Sequence, residues 1–599
     1  MSFSMGLPWS SGEERMHQLL HVPDQDNPTS SLLTPQASFL LQRAPLLAVG
    51  TVDDHGRPWA TIWGGEPGFS QSLGSSIMGT RTIVDRKNDP VVQILIGDRD
   101  DGEIVKSEGP GRMVAGLTID LVTRKRVKIY GRMVAAALDA MEKSDDDQGD
   151  ADNSTSGQIQ LVVRIEQSLG NCPKYLNKKD IRPSPVASEL LSRSANLPIH
   201  AMKLLQKSDL FFISSANADY DMDTNHRGGP PGFVRVLRND DGGAELVYPE
   251  YSGNRLYQTL GNLLTNPVAG VVFPDFDSGA VLYVTGTTEV VVGSAAAELL
   301  PRSNLVVKIK IVEALYVQKG LPFRGTTGDF SPYNPNVRLL AKESSINAGL
   351  KQTATNRATL VKKTQITADI YRFRFTTTRP EPYRAGQWVA LDFSEELDIG
   401  YSHMRDDDPQ SLNDDFIRTF TISSHPGNLP SSEFEITIRS VGRVTAFLCR
   451  QNERSGLEIP LRGIGGDFAV KEDSNSLIPF IAGGIGITPL LAQLPDLPLD
   501  RLRLFWSLRA GDLTLALDAL ETYPRLHSQT TLFVTGSINQ GMEEKLTSIG
   551  AKLEKRRILA EDLRTVDAET WYFCTGSVLR KALLGWLKGR TPVFEDFNF

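Results

Sequence analysis

The stretch "FIAGGIGITPLL" (480–491) runs an apolar strand into a glycine turn and then into an apolar helix. Gly483, Gly484 and Gly486 let a backbone reverse and approach a ligand closely. Thr488 and Pro489 open the helix, where proline is tolerated and free N–H groups attract phosphate. Some sixty residues upstream, "RTFTISS" (418–424) alternates Arg418, Phe420 and Ile422 on one strand face with Thr419, Thr421 and Ser423 on the other. An arginine there can neutralise a pyrophosphate, an aromatic can stack on a flat ring, and hydroxyls can bond a ring nitrogen. In "SVGRVTAFL" (440–448), Gly442, Val444 and Thr445 begin another apolar helix, a second place for a phosphate. Taken alone, the glycine turn reads equally as a tight structural turn and 418–424 as an ordinary half-buried strand, so a nucleotide site is one reading that other features must decide.

The elements that must position them change character along the chain. After about residue 470, short apolar runs such as "LIPFIAGG", "LRLFWSLR", "TTLFVTG" and "TWYFCTG" alternate with helical sequence, the rhythm of a parallel sheet with helices on its faces. Before it lie strands, and before those a half that repeats itself. "VKIYGRMVAA" (127–136) matches "LYVTGTTEVV" (282–291), each a strand broken by one glycine. "NDPVVQILI" (88–96) matches "TNPVAGVVF" (265–273), each read as a proline-marked entry into a strand. "LLAVGTVDDHGRPWATIW" (46–63) reads as a hairpin, with a longer-looped counterpart at 210–237. Two β-barrel units in tandem are expected. The polar stretch 141–157 reads as a solvated loop and 340–360 as an interdomain linker.

Composition narrows the function classes. In 599 residues, 64 Lys and Arg against 72 Asp and Glu leave a net charge of −8, which disfavours a nucleic-acid surface. No run of about 18 uncharged apolar residues suggests a membrane span, and the start has no secretory pattern, so a cytoplasmic protein is expected. The three cysteines, Cys172, Cys449 and Cys574, are too few for a four-thiolate iron–sulfur cluster, and no metal spacing is present.

Taken in order, these motifs resemble the ferredoxin–NADP reductase superfamily over about residues 357–599. Arg418-Thr419-Phe420-Thr421 stands where that family carries R-x-[YF]-[ST], Gly442-Arg443-Val444-Thr445 its phosphate turn, and Gly483–Pro489 its G-G-x-G-x-[TS]-P. "PEPYRAGQWVALDF" (380–393) resembles the family's P-G-Q-Y-V strand, with Ala385 and Trp388 departing from it. "FCTGSVLRKALLGWL" (573–587) resembles its C-G-P turn, with Thr575 between Cys574 and Gly576. The closing "FEDFNF" resembles its C-terminal aromatics. The resemblance implies FAD held by Arg418, Thr419, Phe420, Thr421, Gly442, Val444 and Thr445 and covered by Phe597 and Phe599. NAD(P)H would be held by Gly483, Gly484, Gly486, Thr488, Pro489, Ser507, Arg509, Cys574 and Gly576. Thr421 would reach the flavin's reactive nitrogen, although simple alternation sets it opposite Phe420, and Cys574 would lie near the nicotinamide. These two are the expected catalytic residues. Arg509 suits a 2′-phosphate and leans towards NADPH.

The first half resembles the pyridoxamine 5′-phosphate oxidase-like split barrel over about residues 30–335, on "HRGGPPGFVRVL" (226–237), "PEYSGNRLYQTLGNLLTNPVAGVVF" (249–273) and "GNCPKYL" (170–176). Such barrels dimerise and bind FMN between subunits, an arrangement a tandem repeat can build in one chain. Arg235, Asn254, Arg255 and Asn262 are the candidate FMN contacts, with helix capping near Leu256 an alternative role for Asn254 and Arg255. The expected fold class is multidomain: tandem split β-barrels (1–180 and 181–335), a linker (336–356), an antiparallel FAD-binding β-barrel (357–472) and an NAD(P)-binding α/β domain (473–599). The function expected is an NAD(P)H-dependent flavin oxidoreductase passing electrons through FAD to FMN or a substrate in the first half. The acceptor would be a small molecule or small redox protein, and the barrels also allow a homodimer. The rivals are a single-flavin reductase whose first half binds haem or a small acceptor, and a non-catalytic scaffold.

Overall fold

The computed structural model describes the chain except residues 1–6, 75, 108, 141–154, 171–173, 218–220, 344–353, 355, 472–475 and 595–599. Cys172, most of the polar stretch 141–157, half of the expected linker, Phe597 and Phe599 lie outside the described residues. Two compact units form. The first is Met1–Ala341 with Tyr401–Asp414, and the second is Lys342–Gly400 with Asp415–Phe599. The segment 401–414, expected inside the FAD-binding barrel, belongs to the first unit.

The first unit holds β1 (Leu46–Val52), β2 (Pro58–Gly64), β3 (Ser70–Ser72), β4 (Ile77–Asp85), β5 (Val105–Lys106), β6 (Met113–Asp120), β7 (Lys125–Ala140) and β8 (Ser156–Gly170) in one antiparallel sheet, ordered β2-β1-β6-β7-β8-β4-β3 with β5 on β7. Strands β9 (Lys179–Pro183) and β18 (Phe323–Thr327) pair with each other. A second sheet runs through β10 (Glu189–Ser194), β11 (Leu210–Asn217), β12 (Asp221–Gly228), β13 (Arg235–Asp240), β14 (Gly243–Pro249), β15 (Val268–Pro274), β16 (Val281–Val292) and β17 (Leu305–Gln318). Its order, β12-β11-β15-β16-β17-β14-β13 with β10 on β17, repeats the first sheet strand for strand along the main path.

Register makes the repeat residue-specific. Leu46 pairs with Gly64 as Leu210 pairs with Gly228, and Leu117 pairs with Lys128 as Val272 pairs with Tyr283. Both long hairpins slip by one residue at the same place, Gly131 in β7 and Gly286 in β16. A Cβ at Gly131 would strike the Arg164 carbonyl oxygen, and one at Gly286 the Lys310 carbonyl oxygen. The bulge therefore needs glycine in both copies. The two sheets meet as an isologous pair would, i against j and j against i. Gly50 faces its own equivalent, Ser214. Ala115 packs with Met222, and their equivalents Gly270 and Pro58 also touch.

Two sequence expectations are corrected. Residues 88–96 do not enter a strand: Pro90–Ile96 is a helix whose N-cap carboxylate, Asp89, accepts from the backbone N–H of Val91 and Val92. A short apolar run is ambiguous between strand and helix, and aspartate before proline decides for the helix. The hairpin partner of β11 is the polar segment Asp221–Gly228, not 232–237, which instead leads into the separate hairpin β13–β14. Its Asp221 and Asp223 meet Gln167 and Lys128 of the other sheet.

The second unit pairs β19 (Asn356–Gln365), β20 (Ile370–Thr377), β21 (Trp388–Asp392), β22 (Ile417–Thr421), β23 (Glu433–Arg439) and β24 (Glu458–Gly465) in the antiparallel order β22-β21-β24-β19-β20-β23. Phe373, Phe375, Phe393, Phe420 and Phe434 fill its core. Strands β25 (Ile478–Gly483), β26 (Leu502–Arg509), β27 (Thr530–Thr535), β28 (Lys552–Glu554), β29 (Thr570–Cys574) and β30 (Thr591–Phe594) form a parallel sheet, ordered β28-β27-β26-β25-β29-β30. The chain winds outwards from β25 in one direction and resumes at β29 on its other side. That reversal is a topological switch point, where open α/β sheets bind ligands beyond the carboxyl ends of their strands. No described helix is long and apolar enough to cross a membrane.

Candidate functional site

The glycine turn sits at that switch point. Gly483 ends β25 level with Ser507 of β26, and Ala482 is level with Cys574 of β29. Gly484 takes a left-handed φ of 54°, and the Trp506 indole donates to its carbonyl at 2.9 Å. A tight turn, Gly484–Ile487, leads into the short helix Thr488–Leu491, with Thr488 and Pro489 buried. A Cβ on Gly486 would lie 2.9 Å from the Cys574 carbonyl carbon and 3.1 Å from its Sγ, and nearer still to the carbonyl oxygen. Gly486 and Cys574 thus pack directly on one another, and the Cys574 side chain is buried. Beside them, the Thr575 hydroxyl is buried without a hydrogen-bond partner among the described residues. Exposed Gly576 caps the helix Ser577–Trp586, and Arg509 is exposed at the carboxyl end of β26. The residues expected to hold NAD(P)H are therefore brought to one edge of the sheet.

Strand β22 carries the other motif. Thr421, Phe420, Thr419 and Arg418 stand opposite Trp388, Val389, Ala390 and Leu391 of β21. The apolar residues of the alternation point inwards. Phe420, expected to pack on an isoalloxazine, lies in the barrel core with its ring edge-on to Phe393, centroids 6.3 Å apart. Among the described residues the Thr419 hydroxyl is buried with no hydrogen-bond partner. Half-buried Arg418 lies 3.8 Å from Asp415. At the phosphate turn, the Thr445 hydroxyl accepts from the backbone N–H of Val441 at 2.9 Å and of Gly442 at 3.0 Å. Val444 is buried in the barrel core and anchors the turn.

Sequence reading missed Arg439. Its guanidinium donates to Asp369 at 2.6 Å and to Asp512 at 2.7 Å, and lies 3.8 Å from where a Gly484 side chain would begin. It ties the end of β23 to the sheet that carries the glycine turn. Nothing in the local sequence marks it, because both carboxylates are remote in the chain. The unpartnered Thr419 and Thr575 hydroxyls and the glycine cradle fit a ligand with hydrogen-bonding edges and phosphates.

The first unit has a separate cavity between its two sheets. Lys128 of the first sheet meets Asn225, His226 and Arg227 of β12 and residues 249–260 of the second. Lys128 is buried in a 2.6 Å ion pair with Asp223, and Gln258 also accepts from it. Thr259 donates to the other Asp223 oxygen at 2.5 Å. Such a pair contributes little net stability, but removing one partner leaves a costly buried charge. Arg227 pairs with Glu250 at 2.5 Å. His226 is buried, and burial followed by the charges of Arg126, Arg227 and Lys128 holds it neutral. Among the described residues its Nδ1 has no partner, nor has the Tyr251 hydroxyl. Arg255, at a left-handed φ of 60°, stacks 3.4 Å over the Tyr401 ring and makes no ion pair among the described residues. Asn254 lines the cavity and accepts from the Leu256 N–H at 3.2 Å. The other two residues expected at a flavin do not line it. Asn262 is buried against Ser215, and Arg235 donates to the Gly232 carbonyl. Sequence reading missed Lys128, His226 and Arg227, since their convergence depends on how the two sheets pair.

No family model matches the chain. The glycine betaine monooxygenase reductase subunit of Pseudomonas aeruginosa is 35% identical over 137 residues, covering 22% of this chain and 32% of that protein. The Chromohalobacter salexigens subunit of the same description is 32% identical over 158 residues, 25% of this chain and 38% of that protein. The match thus spans about a third of the length of these curated relatives. The ferredoxin–NAD(P)(+) reductase component of the naphthalene 1,2-dioxygenase system of Pseudomonas putida is 24% identical over 244 residues, 39% of this chain and 66% of that protein. Among solved structures, a flavohemoglobin from Malassezia yamatoensis with bound FAD and heme is 17% identical with a TM-score of 0.31, covering 42% of this chain and 62% of that one.

Proposed function

We propose that the chain is an NAD(P)H-dependent flavoprotein oxidoreductase whose second unit carries FAD and whose first unit holds the acceptor, FMN or a substrate. The observation that carries this reading is the switch point: the glycine turn packed on Cys574 at the carboxyl edge of a parallel sheet, in one unit with the Arg418–Thr421 strand. The relatives described as reductase components support it. When bound, FAD accepts a hydride and releases electrons singly. The chain's own residues supply binding and orientation. Arg418 and the turn at Gly442–Thr445 neutralise the FAD pyrophosphate. Thr419 and Thr421 offer hydroxyls to the ring edge. The amides of the Gly483–Gly486 turn and the helix N-terminus after Gly576 receive the nicotinamide nucleotide's phosphates. Ser507 and Arg509 flank the adenosine end, and Arg509 suits a 2′-phosphate. Buried Cys574 fixes the turn's position and borders the nicotinamide.

For the first unit, the matched strand orders support a tandem split barrel, and its cationic cavity supports FMN. The electron acceptor beyond it is a small molecule or redox protein. Extraction of flavins from the purified chain tests the whole reading, with one FAD and one FMN per chain as the expected result. FAD alone would confine the reading to the second unit, and FAD alone with a Soret band would make the first unit a haem module. Absence of FAD would overturn the reading.

A further inference from the structure

The duplicated sheets create two equivalent places for a ligand, and the residues at them have diverged in opposite directions. Register equates Lys128 with Tyr283, Asn225 with Thr61, His226 with Ile62 and Arg227 with Trp63. The cavity combines the polar member of each of these pairs. Its counterpart combines the other members, and it is filled. Thr61, Ile62, Trp63 and Tyr283 are all buried. The Thr61 hydroxyl and the Trp63 indole both donate to Asp89 Oδ2, at 2.6 and 2.9 Å. Tyr283 lies beside Asp89 and Asp85, and burial keeps its hydroxyl protonated. Asp89 caps its helix from the position that Tyr257 occupies in the second copy.

We propose that each chain has one binding site for a phosphorylated flavin between its sheets, formed by Lys128, His226, Arg227 and Arg255, and that the equivalent site around Trp63 and Tyr283 is a structural plug. The inference rests on the reading of the first unit as an FMN module. The two sites differ in what they leave unsatisfied. Around the cavity, among the described residues, the His226 Nδ1 and the Tyr251 hydroxyl are buried without partners, and Arg255 stacks on Tyr401 and makes no ion pair. Around the plug, the Thr61 hydroxyl and the Trp63 indole are both used by Asp89, and the polar atom left buried without a partner there among the described residues, an Asp85 carboxylate oxygen, is one that repels a phosphate. A guanidinium with no carboxylate suits a phosphate, and a neutral imidazole suits a ring N–H or carbonyl edge. One chain then does with two unequal copies what a symmetric pair does twice.

Equilibrium dialysis of the full chain, carrying its FAD, against FMN tests this, with retained flavins separated by chromatography. One FMN per chain is expected. Arg255→Asn, chosen because asparagine tolerates the left-handed backbone there, should weaken FMN binding at least tenfold. His226→Leu, which makes the position apolar as Ile62 is at the plug, should also weaken it. Tyr283→Phe should leave the dissociation constant within twofold. Thermal melts of each variant separate lost binding from lost folding. Two FMN per chain, or a tenfold loss with Tyr283→Phe but not with Arg255→Asn, would overturn the proposal while leaving the FMN module intact. No retained FMN would overturn the FMN module itself, and this inference with it.

Discussion

Gly486→Ala tests the claim that the glycine turn is set by its contact with Cys574. The added Cβ would stand 2.9 Å from the Cys574 carbonyl carbon, where ordinary contact begins at 3.4 Å. The turn or the end of β29 must therefore open by at least half an ångström, and by more to clear the carbonyl oxygen. Neither neighbour is the free end of a flexible side chain, since both are backbone of a buried parallel sheet. Overpacking of this kind costs about 1–3 kcal/mol. In a folding unit of this size each kcal/mol corresponds to about 2–4 °C, so the second unit's transition should fall by roughly 2–12 °C. Scanning calorimetry of the full chain reads that loss. Steady-state kinetics with an artificial acceptor should show a raised KM for NAD(P)H, because the displaced turn is the one proposed to receive the nucleotide. Gly585→Ala is the control: a Cβ there meets nothing within 4 Å, the residue is exposed inside the helix Ser577–Trp586, and alanine is the better helix former, so Tm should not fall. An unchanged Tm and KM for Gly486→Ala would refute the packing argument, and with it the placement of the nucleotide at this turn.

Arg418→Ala should weaken FAD binding roughly 10- to 100-fold, the worth of about 1.5–3 kcal/mol for a charge-assisted hydrogen bond; full FAD occupancy after gel filtration of dilute variant would remove Arg418 from the site. Asp221 gives the first unit a pH dependence: burial, reinforced by Asp223, raises its carboxyl to about 6. A carboxyl whose folded pKa exceeds its unfolded one stabilises the fold at low pH, and that contribution disappears as pH rises from about 4 through about 6. Asp221→Asn should therefore remove a stability loss of about 2–3 kcal/mol across that window, measured by urea denaturation at pH 4 to 7. An identical slope in the variant would assign the effect to another group.

The two units were legible in the sequence to different degrees, for a physical reason. In the second unit the motifs are local: the glycine turn, the alternating strand and the capped helix are each built by consecutive residues, so the element that carries each is readable from its own window. The exceptions are instructive. Phe420 satisfies a motif, yet alternation and burial place its ring in the core rather than on a ligand face. Arg439 carries no motif, because its partners Asp369 and Asp512 are distant in sequence.

In the first unit the candidate site is assembled by pairing two copies, so no window of sequence contains it. The glycine-broken strands at 127–136 and 282–291 were the visible trace of duplication, and their shared bulge is its structural cause. What hid the site was its own polarity. Asp221–Gly228 reads as a loop because Asp223, Asn225 and Arg227 are poor strand residues, yet it pairs with β11 along its full length. Its first-copy equivalent, Pro58–Gly64, reads plainly as a strand because Trp59, Ile62 and Trp63 are apolar. In a duplicated fold of this kind, the copy that departs from strand composition at an inward-facing hairpin is the one to inspect for a ligand. The buried ion pair of Lys128 with Asp223 makes the same point energetically: Tyr283 shows that this fold accepts an aromatic at the lysine's position, so stability alone does not require the charge.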